Sequence, residues 1–479
     1  MTNGGWSDQI HLPGENLNSR SEIFKERMML TLFTDGRPSD CDGLTRRNFI
    51  QAGALGLGGL TLPGLLAAKA SAGQQGKAFH DKSVVVLFLS GGATHIETFD
   101  PKMTAPAEFR SMTGEAKTCL PGVSFGGGFP QLAKHADKMA VVRSFKHGSS
   151  SHGRARQMVL GGGNPMQASM GSLYAASAGT SNPRTGVPNY INVSPRAIDR
   201  KKYNVGDAIG TAGKPGNLGS VYAAFDPSSG GAVLENMKLN VPNDRLGDRR
   251  SLLYQLDRLK RDRDASQGVH SANKFQQQAF DVILGDAADA FDLSKENPKL
   301  VQRYSTDKFK DKNGAALGKQ MLMARRLCEA GAGFVTVSSG GWDMHKDLVK
   351  SMDQRGNAVD NAVAAFLEDV HDRGLSDKIL LVVTGEFGRT PKINKKAGRD
   401  HWGNLCTLAL AGGGLPMGQV IGESNPTASV PASPPIGVGQ LMATVMHTLI
   451  DPGQLRLMPT ISGEVSSFLG EHSPIEQLT

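Results

Sequence analysis

The chain has 479 residues, of which 39% are hydrophobic and 20% charged, a composition that is typical of a globular protein and excludes disorder throughout. The formal net charge is +8 and does not change when residues 1–72 are left out, because they hold seven basic and seven acidic side chains. Basic residues are scattered and only 6% of residues are aromatic, which argues against a nucleic-acid partner and favours an anionic small molecule, polysaccharide or envelope surface.

The first feature along the chain is an arginine pair, Arg46-Arg47, in the segment Thr-Arg-Arg-Asn-Phe-Ile-Gln. An uncharged apolar run over residues 49–68 follows and ends near the small residues Ala70-Ser-Ala72. This order is typical of a twin-arginine signal, so we expect residues 1–72 to be a signal region that the twin-arginine translocase exports to the periplasm or the cell surface. An uncleaved amino-terminal anchor stays open, although five glycines between positions 53 and 64 disfavour a membrane-spanning helix.

Five short apolar runs in the remaining chain predict strands that are buried on both faces, at residues 84–89, 139–142, 334–337, 379–383 and 405–411. Two helical patterns lie among them, with apolar residues spaced by three or four: Leu317, Met321, Ala324 and Cys328, and then Val359, Val363, Phe366 and Val370. Alternating strands and helices predict an α/β domain over residues 73–479, with a mostly parallel sheet and helices on both of its faces.

The stretch of about 160–315 has a different character, and we expect an irregular and helical insertion there. Residues 161–231 are rich in glycine and proline, which predicts exposed, irregular chain that frames a cleft. Residues 245–292 are highly charged with helical periodicity, which predicts solvated surface helices.

Three cysteines follow the signal region, Cys119, Cys328 and Cys406. Their number is odd and their spacing is wide, so they form neither a disulfide framework nor a zinc-finger pattern. We expect them to act as small buried hydrophobic residues.

Polar residues follow the predicted strands at the points where the strands end. In open parallel sheets, ligands bind beyond the carboxyl ends of the strands. The residues at these points include five of the twelve histidines and several carboxylates: His95, Glu97, Asp100, His147, His152, Asp343, His345, Glu386, Asp400 and His401. Their convergence predicts a metal-binding cleft, and ligands without thiols indicate zinc, manganese, magnesium or calcium.

The spacing within this set separates the candidates. Asp343 and His345 are one residue apart, so in an extended backbone their side chains point the same way and can share an ion. Asp400 and His401 are adjacent and point apart, so we expect only one of them, His401, to bind the ion, with Asp400 as its support. Glu386 directly follows a buried strand, where a carboxylate needs either a cation or a hydrogen-bond donor. The arginines of the same loops suit a phosphate or sulfate group, or else pair with nearby acids: Arg143, Arg154, Arg156, Arg389 and Arg399.

Five segments carry a resemblance to a known family: the Arg46-Arg47 leader, Gly-Gly-x-x-His95-x-Glu97-Thr-Phe-Asp100-Pro-Lys, Gly341-Trp342-Asp343-Met-His345, Gly385-Glu386-Phe-Gly-Arg389-Thr-Pro and Gly398-Arg-Asp400-His401-Trp. In these residues the chain resembles the exported bacterial domain of unknown function 1501 family, which is placed in the alkaline phosphatase and sulfatase superfamily. The resemblance implies an alkaline-phosphatase-like α/β sandwich. It also implies metal held by Asp, Glu and His at strand ends, where it polarises a phosphate or sulfate ester for in-line attack.

By position, the resemblance implies metal ligands at Asp343, His345 and His401, and places Glu386 where the superfamily usually has an Asp-His pair. Two departures from the superfamily pattern stand out. Ser90-Gly-Gly replaces the acidic ligand that normally follows the first strand, so only Glu97 or Asp100 could substitute for it. The nucleophile has no clear counterpart, and the hydroxyl candidates are Thr94, Ser149, Ser150 and Ser151.

Together these features predict a metal-dependent hydrolase of phosphate or sulfate esters. We expect its metal ligands among His95, Asp100, Asp343, His345, Glu386 and His401. We expect catalytic roles for Ser150, His152 and Arg389, with the arginine steadying the anion. The alternative, favoured by the two departures, is a non-catalytic exported module that binds an anionic glycan or a cell-envelope partner.

Overall fold

The computed structural model describes residues 78–198, 212–229, 287–309 and 312–479. The predicted signal region and most of the charged stretch 245–292 lie outside the described residues. Within the described ranges, every helix is too short or too polar to cross a membrane.

The described strands are β1 (Ser83–Leu89), β2 (Glu115–Lys117), β3 (Ser124–Gly126), β4 (Met139–Val142), β5 (Tyr190–Val193), β6 (Phe334–Ser339), β7 (Ile379–Thr384), β8 (Gly388–Arg389), β9 (His401–Trp402), β10 (Leu408–Gly412) and β11 (Gln419–Ile421). The described α-helices are α1 (His95–Thr98), α2 (His152–Gly161), α3 (Met170–Ala178), α4 (Ala287–Phe291), α5 (Pro298–Tyr304), α6 (Lys312–Glu329), α7 (Leu348–Ser351), α8 (Asn357–Asp372), α9 (Val438–Leu449), α10 (Pro452–Leu455) and α11 (Gly463–Leu469). A π-helical turn joins α7 to α8 at Met352–Gly356. Short 3-10 helices lie at Leu132–Lys138, Pro195–Ala197, Gly216–Leu218, Ser220–Tyr222, Pro227–Ser229, Leu293–Lys295 and Glu476–Leu478.

Seven strands form the main sheet, in the order β11-β4-β10-β7-β1-β6-β5. Six of them run in the same direction, and β10 alone is antiparallel to both of its neighbours, β7 and β4. The prediction of an α/β fold with a mostly parallel sheet is confirmed. Because β10 runs backwards, the chain enters it at the edge where the parallel strands end. Residues that precede β10 therefore lie at the same edge as residues that follow β1, β4, β6 and β7.

The core lies on both faces of this sheet. Alternate residues of β1 point into two separate apolar clusters, with Val85 and Leu87 on one face and Val86 and Phe88 on the other. Helices α6 and α8 pack on the first face, and α2, α3 and α9 on the second. The unbroken apolar runs thus mark strands that are covered on both faces, as the sequence predicts.

The described part of the glycine- and proline-rich stretch 161–231 is less irregular than expected. It contains helix α3, which is largely buried, and strand β5, whose four residues are all buried. Strand β5 is parallel to β6 at the sheet edge, and the Tyr190 ring packs edge-on against Phe334 at 5.5 Å. Four residues that include an asparagine carry no strand pattern, so the neighbouring strand decides this structure.

Two of the cysteines behave as predicted. Cys328 and Cys406 are buried free thiols, and burial raises the pKa of each to about 12. Cys119 is also a free thiol but is exposed, so the expectation of burial is wrong for this residue.

Candidate metal centre

Four separate segments bring imidazole and carboxylate groups to the carboxyl edge of the sheet. The loop after β6 carries Asp343 and His345, and the turn after β7 carries Glu386. Helix α2, which follows β4, begins at His152. The segment that leads into the antiparallel strand β10 carries His401. The reversed direction of β10 is what places this last histidine beside the others.

Three donor atoms of this group form a triangle with sides of about 3 Å. Asp343 Oδ1 lies 2.9 Å from His401 Nε2 and 3.0 Å from His345 Nε2. The two imidazole nitrogens are 3.0 Å apart. His152 Nε2 approaches the other carboxylate oxygen, Asp343 Oδ2, at 3.6 Å. We call these four side chains the donor cluster.

The outer nitrogen of each imidazole in the donor cluster is already held by an oxygen. The partners of Nδ1 are Asp400 Oδ1 for His345 (2.6 Å), the carbonyl of Ser150 for His401 (3.1 Å) and Glu386 Oε1 for His152 (2.9 Å). Carbonyl and carboxylate oxygens only accept hydrogen bonds, so each Nδ1 carries the hydrogen atom. In a neutral imidazole, Nε2 then holds a lone pair.

When the three rings are neutral, three nitrogen lone pairs meet the Asp343 carboxylate, with no imidazole hydrogen atom between them. Such an arrangement is repulsive unless a cation or a proton lies among the donors. Donor atoms that bind one zinc ion at about 2.1 Å each lie about 3 to 3.5 Å apart, which agrees with the triangle. Outer hydrogen bonds of this kind also fix the tautomer of histidine ligands in metal sites. The donor cluster thus fits a divalent ion, with His152, Asp343 and His401 forming a group of compatible spacing.

The carboxylates of the centre are held in their ionised form. Partial burial acts to raise the pKa of Asp343, but the contacts with His401 and Arg389, together with the arginine's charge, outweigh burial and hold that pKa well below its usual value. The hydrogen bond with His345 likewise lowers the pKa of Asp400. Both groups are therefore charged at neutral pH, as metal binding requires.

Glu386 stands behind the donor cluster rather than within it. The side chain is fully buried, and both of its oxygens accept from the backbone N–H of Gly91 at 2.8 Å. It also accepts from His152 Nδ1 at 2.9 Å and from Arg156 Nε at 3.2 Å. The sequence analysis expected Glu386 as a ligand; protein donors surround its carboxylate, and one of them is Nδ1 of His152.

His95 and Asp100 are also not brought to the donor cluster. His95 is buried in helix α1, where its Nε2 donates to the carbonyl of Ala428 at 2.9 Å. Asp100 accepts from the hydroxyl of Ser424 and pairs with Arg143 at 3.5 Å. Both side chains are engaged by these other partners, so the expectation that they bind the same ion as Asp343 is not supported.

The turn after β1 has no room for a side chain at position 91. Gly91 has φ of +115°, and a Cβ atom on it would lie 2.3 Å from the backbone nitrogen of Asp343. The loop after β6 thus packs directly on this turn. The remaining substitute, Glu97, is fully buried and accepts from Arg399 at 3.0 Å, so it is engaged elsewhere.

Among the hydroxyl candidates, Ser150 lies against the donor cluster. Its backbone carbonyl holds His401, and the residue itself is exposed. Thr94 is buried and donates to Glu97 at 2.5 Å, which removes it from the site. The Ser149 hydroxyl accepts a backbone N–H of its own loop.

Arg389 does not face a substrate, in contrast to the role expected for it. Its side chain is completely buried. Its acceptors are the carbonyls of Gly91, Gly92 (2.9 Å), Trp342 (3.1 Å) and Arg399 (3.2 Å) and the carboxylate of Asp343 (2.5 Å). A guanidinium that is enclosed and bonded in this way has no donor directed at a bound anion.

The other four arginines of these loops differ in whether an acidic side chain pairs with them. Arg143 pairs with Asp100, Arg156 with Glu386, and Arg399 with Glu97. Arg154 is exposed two residues after His152, and within the described part of the chain no acid pairs with it. Of the five arginines, Arg154 is therefore the one whose guanidinium is available to an anion.

Two features of the centre were not found from the sequence. The ring of Phe387 is buried against His152 and His401, at centroid distances of 4.9 and 4.4 Å. A single aromatic residue beside a strand predicts core packing, and nothing in the pattern indicates a histidine contact. The carbonyl of Ser150 carries no sequence signal either, because every residue has such a group.

Comparison with known proteins gives one family and several distant structures. The model of a family described as a protein of unknown function, DUF1501, matches residues 81–461. No curated protein matches the chain in sequence. Similar solved structures include the PsFucS1 sulfatase from Pseudoalteromonas sp., with 12% identity over 80% of this chain and 71% of that chain and a TM-score of 0.35. Another is the phosphonate monoester hydrolase SpPMH from Silicibacter pomeroyi, with 12% identity over 82% of this chain and 78% of that chain and a TM-score of 0.28.

Proposed function

The chain belongs to the DUF1501 family, and from its donor cluster we propose that it is a metal-dependent hydrolase of phosphate or sulfate esters. One observation carries the proposal. Three imidazole Nε2 atoms meet the Asp343 carboxylate while each Nδ1 already donates to an oxygen. Neutral rings in this arrangement are stabilised by a cation or a proton among them, and a hydrolase of this kind uses a metal cation.

The donor types favour zinc or manganese among the divalent ions. Calcium and magnesium prefer sites made of oxygen ligands, whereas imidazole nitrogen suits zinc and other transition metals. His152, Asp343, His345 and His401 would hold the ion, and none of them is a thiol. When bound, such an ion acts as a Lewis acid on an ester oxygen.

Ser150 is the proposed nucleophile. The hydrogen bond between its carbonyl and His401 holds this exposed serine beside the donor cluster. In the proposed reaction, Ser150 Oγ bonds to the phosphorus or sulfur atom while the bond to the leaving alcohol breaks, and the serine proton passes to the alcohol. Water then cleaves the serine ester, which releases phosphate or sulfate and restores the hydroxyl.

The surroundings of the cluster favour an anionic substrate, either a small molecule or a polysaccharide ester. Asn394 donates to the carbonyl of His345 at 3.0 Å, and this hydrogen bond joins the loop 392–398 to the loop after β6. Exposed basic residues lie on these segments without an ion pair among the described residues: Arg154, Lys346, Lys392, Lys395 and Lys396. Their unpaired positive charge attracts a negatively charged ester.

The proposal is tested by metal analysis and hydrolysis together. We expect the purified mature protein to contain zinc or manganese and to cleave an aryl phosphate or an aryl sulfate. His345→Ala should lose both properties, and Ser150→Ala should lose hydrolysis but keep the metal. His371→Ala is the matched control, because His371 is an exposed histidine on α8 outside the centre. Metal-replete, folded protein that is inert towards both esters would reject the hydrolase.

A non-catalytic module is the second candidate, and the packing of Gly91 against Asp343 favours it. That contact excludes a side chain at position 91, and the turn Ser90-Gly-Gly holds no acid, so the centre lacks the acidic ligand that the resemblance implies after β1. This candidate predicts that metal-replete protein binds a polyanion such as dextran sulfate without turnover. Binding should then survive alanine substitutions at Ser149, Ser150 and Ser151. Loss of a measured hydrolysis in those variants would exclude it.

We also propose that the protein works in the periplasm or at the cell surface. The support is the Arg46-Arg47 leader with its apolar run, which lies outside the described residues. Replacing both arginines with lysine should retain the protein in the cytoplasm, as measured by cell fractionation. Unchanged export of that variant would rule out the twin-arginine route.

A further inference from the structure

Arg389 lies where the segments that build the donor cluster meet. Its guanidinium bonds to the turn after β1 through Gly91 and Gly92, and to the loop after β6 through Trp342 and Asp343. Its Nη1 donates to the carbonyl of Arg399, just before the segment that carries His401. One buried side chain therefore joins three of the strand-end segments.

We propose that Arg389 is a positioning residue that sets the orientation of Asp343 and, through it, the affinity of the centre for metal. This inference rests on the proposed metal site. Nη2 of Arg389 donates both to Asp343 Oδ1 at 2.5 Å and to the carbonyl of Trp342 at 3.1 Å, so it ties the side chain of the loop to its backbone. Asp343 Oδ1 is also the atom that faces His345 and His401.

The geometry requires an arginine. Its planar fork presents Nε to Gly92 at 2.9 Å, Nη1 to Arg399 at 3.2 Å and Nη2 to Asp343, so three nitrogen atoms serve three directions. A lysine has a single nitrogen atom and would leave buried carbonyl groups without a donor. Gly91 contributes to the same arrangement, because its close approach to Asp343 brings its carbonyl within reach of the guanidinium.

The test compares Arg389→Lys with Arg325→Lys. Arg325 is an equally buried arginine on α6 that pairs with Glu296, Glu329 and Asp369, away from the donor cluster. Zinc affinity is measured by competition with a chromogenic chelator, and the visible spectrum of the cobalt-loaded protein reports the ligand arrangement. We expect Arg389→Lys to weaken zinc binding by about 10- to 100-fold and to change the cobalt spectrum. Arg325→Lys should lower stability but leave both readouts unchanged.

A second comparison separates positioning from a general loss of structure. In an Asp343→Ala background, Arg389→Lys should have little further effect on zinc affinity, because the residue through which it acts is gone. Wild-type zinc affinity and an unchanged cobalt spectrum in Arg389→Lys would overturn the inference, as would an equal loss in the Asp343→Ala background. Failure of Arg389→Lys to fold while Arg325→Lys folds would also overturn it, by making Arg389 a residue of the fold alone. Wild-type protein that binds no metal would instead reject the proposed function.

Discussion

Glu386→Gln is the most informative single substitution at this centre. The carboxylate is fully buried and accepts from the Gly91 N–H, from His152 Nδ1 and from Arg156 Nε. A glutamine has one acceptor oxygen, so if that oxygen stays with His152 and Arg156, the new amide N–H₂ faces the N–H of Gly91. The substitution therefore removes a charge and sets one buried donor against another.

The magnitude follows from these contacts. Hydrogen bonds to charged groups contribute about 1.5–3 kcal/mol and neutral ones about 0.5–1.5 kcal/mol, so weakening two of them costs about 2 kcal/mol. The amide N–H₂ that replaces Oε2 faces the Gly91 N–H without an acceptor, which adds about 1–3 kcal/mol. We therefore expect the free energy of unfolding to fall by about 3–5 kcal/mol, a large share of the stability of a typical domain. Zinc affinity should also fall, by about 10-fold or more, because His152 loses its charged partner.

Glu97→Gln is the matched control for this prediction. Glu97 is also a fully buried glutamate at this edge of the sheet, and it accepts from Thr94, Met112 and Arg399 but touches no member of the donor cluster. Glu97→Gln should lower the free energy of unfolding by a comparable amount and leave the zinc affinity unchanged. Urea unfolding with and without EDTA, together with zinc titration, measures both effects. The reasoning fails if the free energy of unfolding of Glu386→Gln lies within about 0.5 kcal/mol of the wild-type value. It also fails if both variants lose zinc affinity to the same extent.

Three further predictions concern other contacts. Asp400→Asn removes the charge that holds His345 Nδ1 at 2.6 Å, so zinc affinity should fall about 10-fold in calorimetry, and an unchanged value would exclude this orienting role. Burial raises the pKa of Asp360 from 3.8 to about 6, so its folded form retains the proton more strongly than its unfolded form. The free energy of unfolding should therefore fall by up to about 3 kcal/mol as pH rises from about 4 to about 6. Urea unfolding at both pH values should show this dependence in the wild type but not in Asp360→Asn. Gly91→Ala places a Cβ atom 2.3 Å from the Asp343 nitrogen at a φ of +115°. We therefore expect the free energy of unfolding to fall by about 3 kcal/mol in thermal unfolding and zinc binding to be lost. Wild-type stability of this variant would contradict the packing of the turn.

Much of the fold can be predicted from the sequence because burial on both faces leaves a visible pattern. The continuous apolar runs correspond to β1, β4, β6 and β7, and the spaced apolar residues correspond to α6 and α8. Strands β5 and β11 were missed because they have four and three residues, respectively, with polar members among them. Pairing with a neighbouring strand stabilises them, and such pairing has no local signature.

The candidate site was predicted less completely. The rule that ligands lie beyond strand ends led to Asp343, His345 and His401, which the structure places within about 3 Å of one another. The same rule also led to Glu386 and Arg389, which form hydrogen bonds to His152 and Asp343 of the donor cluster, respectively. The local sequence around a buried carboxylate or guanidinium is the same whether the group binds the ion or supports a ligand side chain. Only its tertiary neighbours therefore decide which of these roles it has.

The amino-acid sequence by itself determines the α/β architecture and the set of polar residues at one edge of the sheet, because apolar periodicity and strand ends are local properties. Only the tertiary structure decides which of these residues contact one another at a single site. The carbonyl of Ser150 holds His401 across 251 positions of the chain, and the reversed strand β10 carries that histidine to the edge. Hydrogen bonds between such distant segments depend on how the strands are ordered, and that order is set by packing of the whole core.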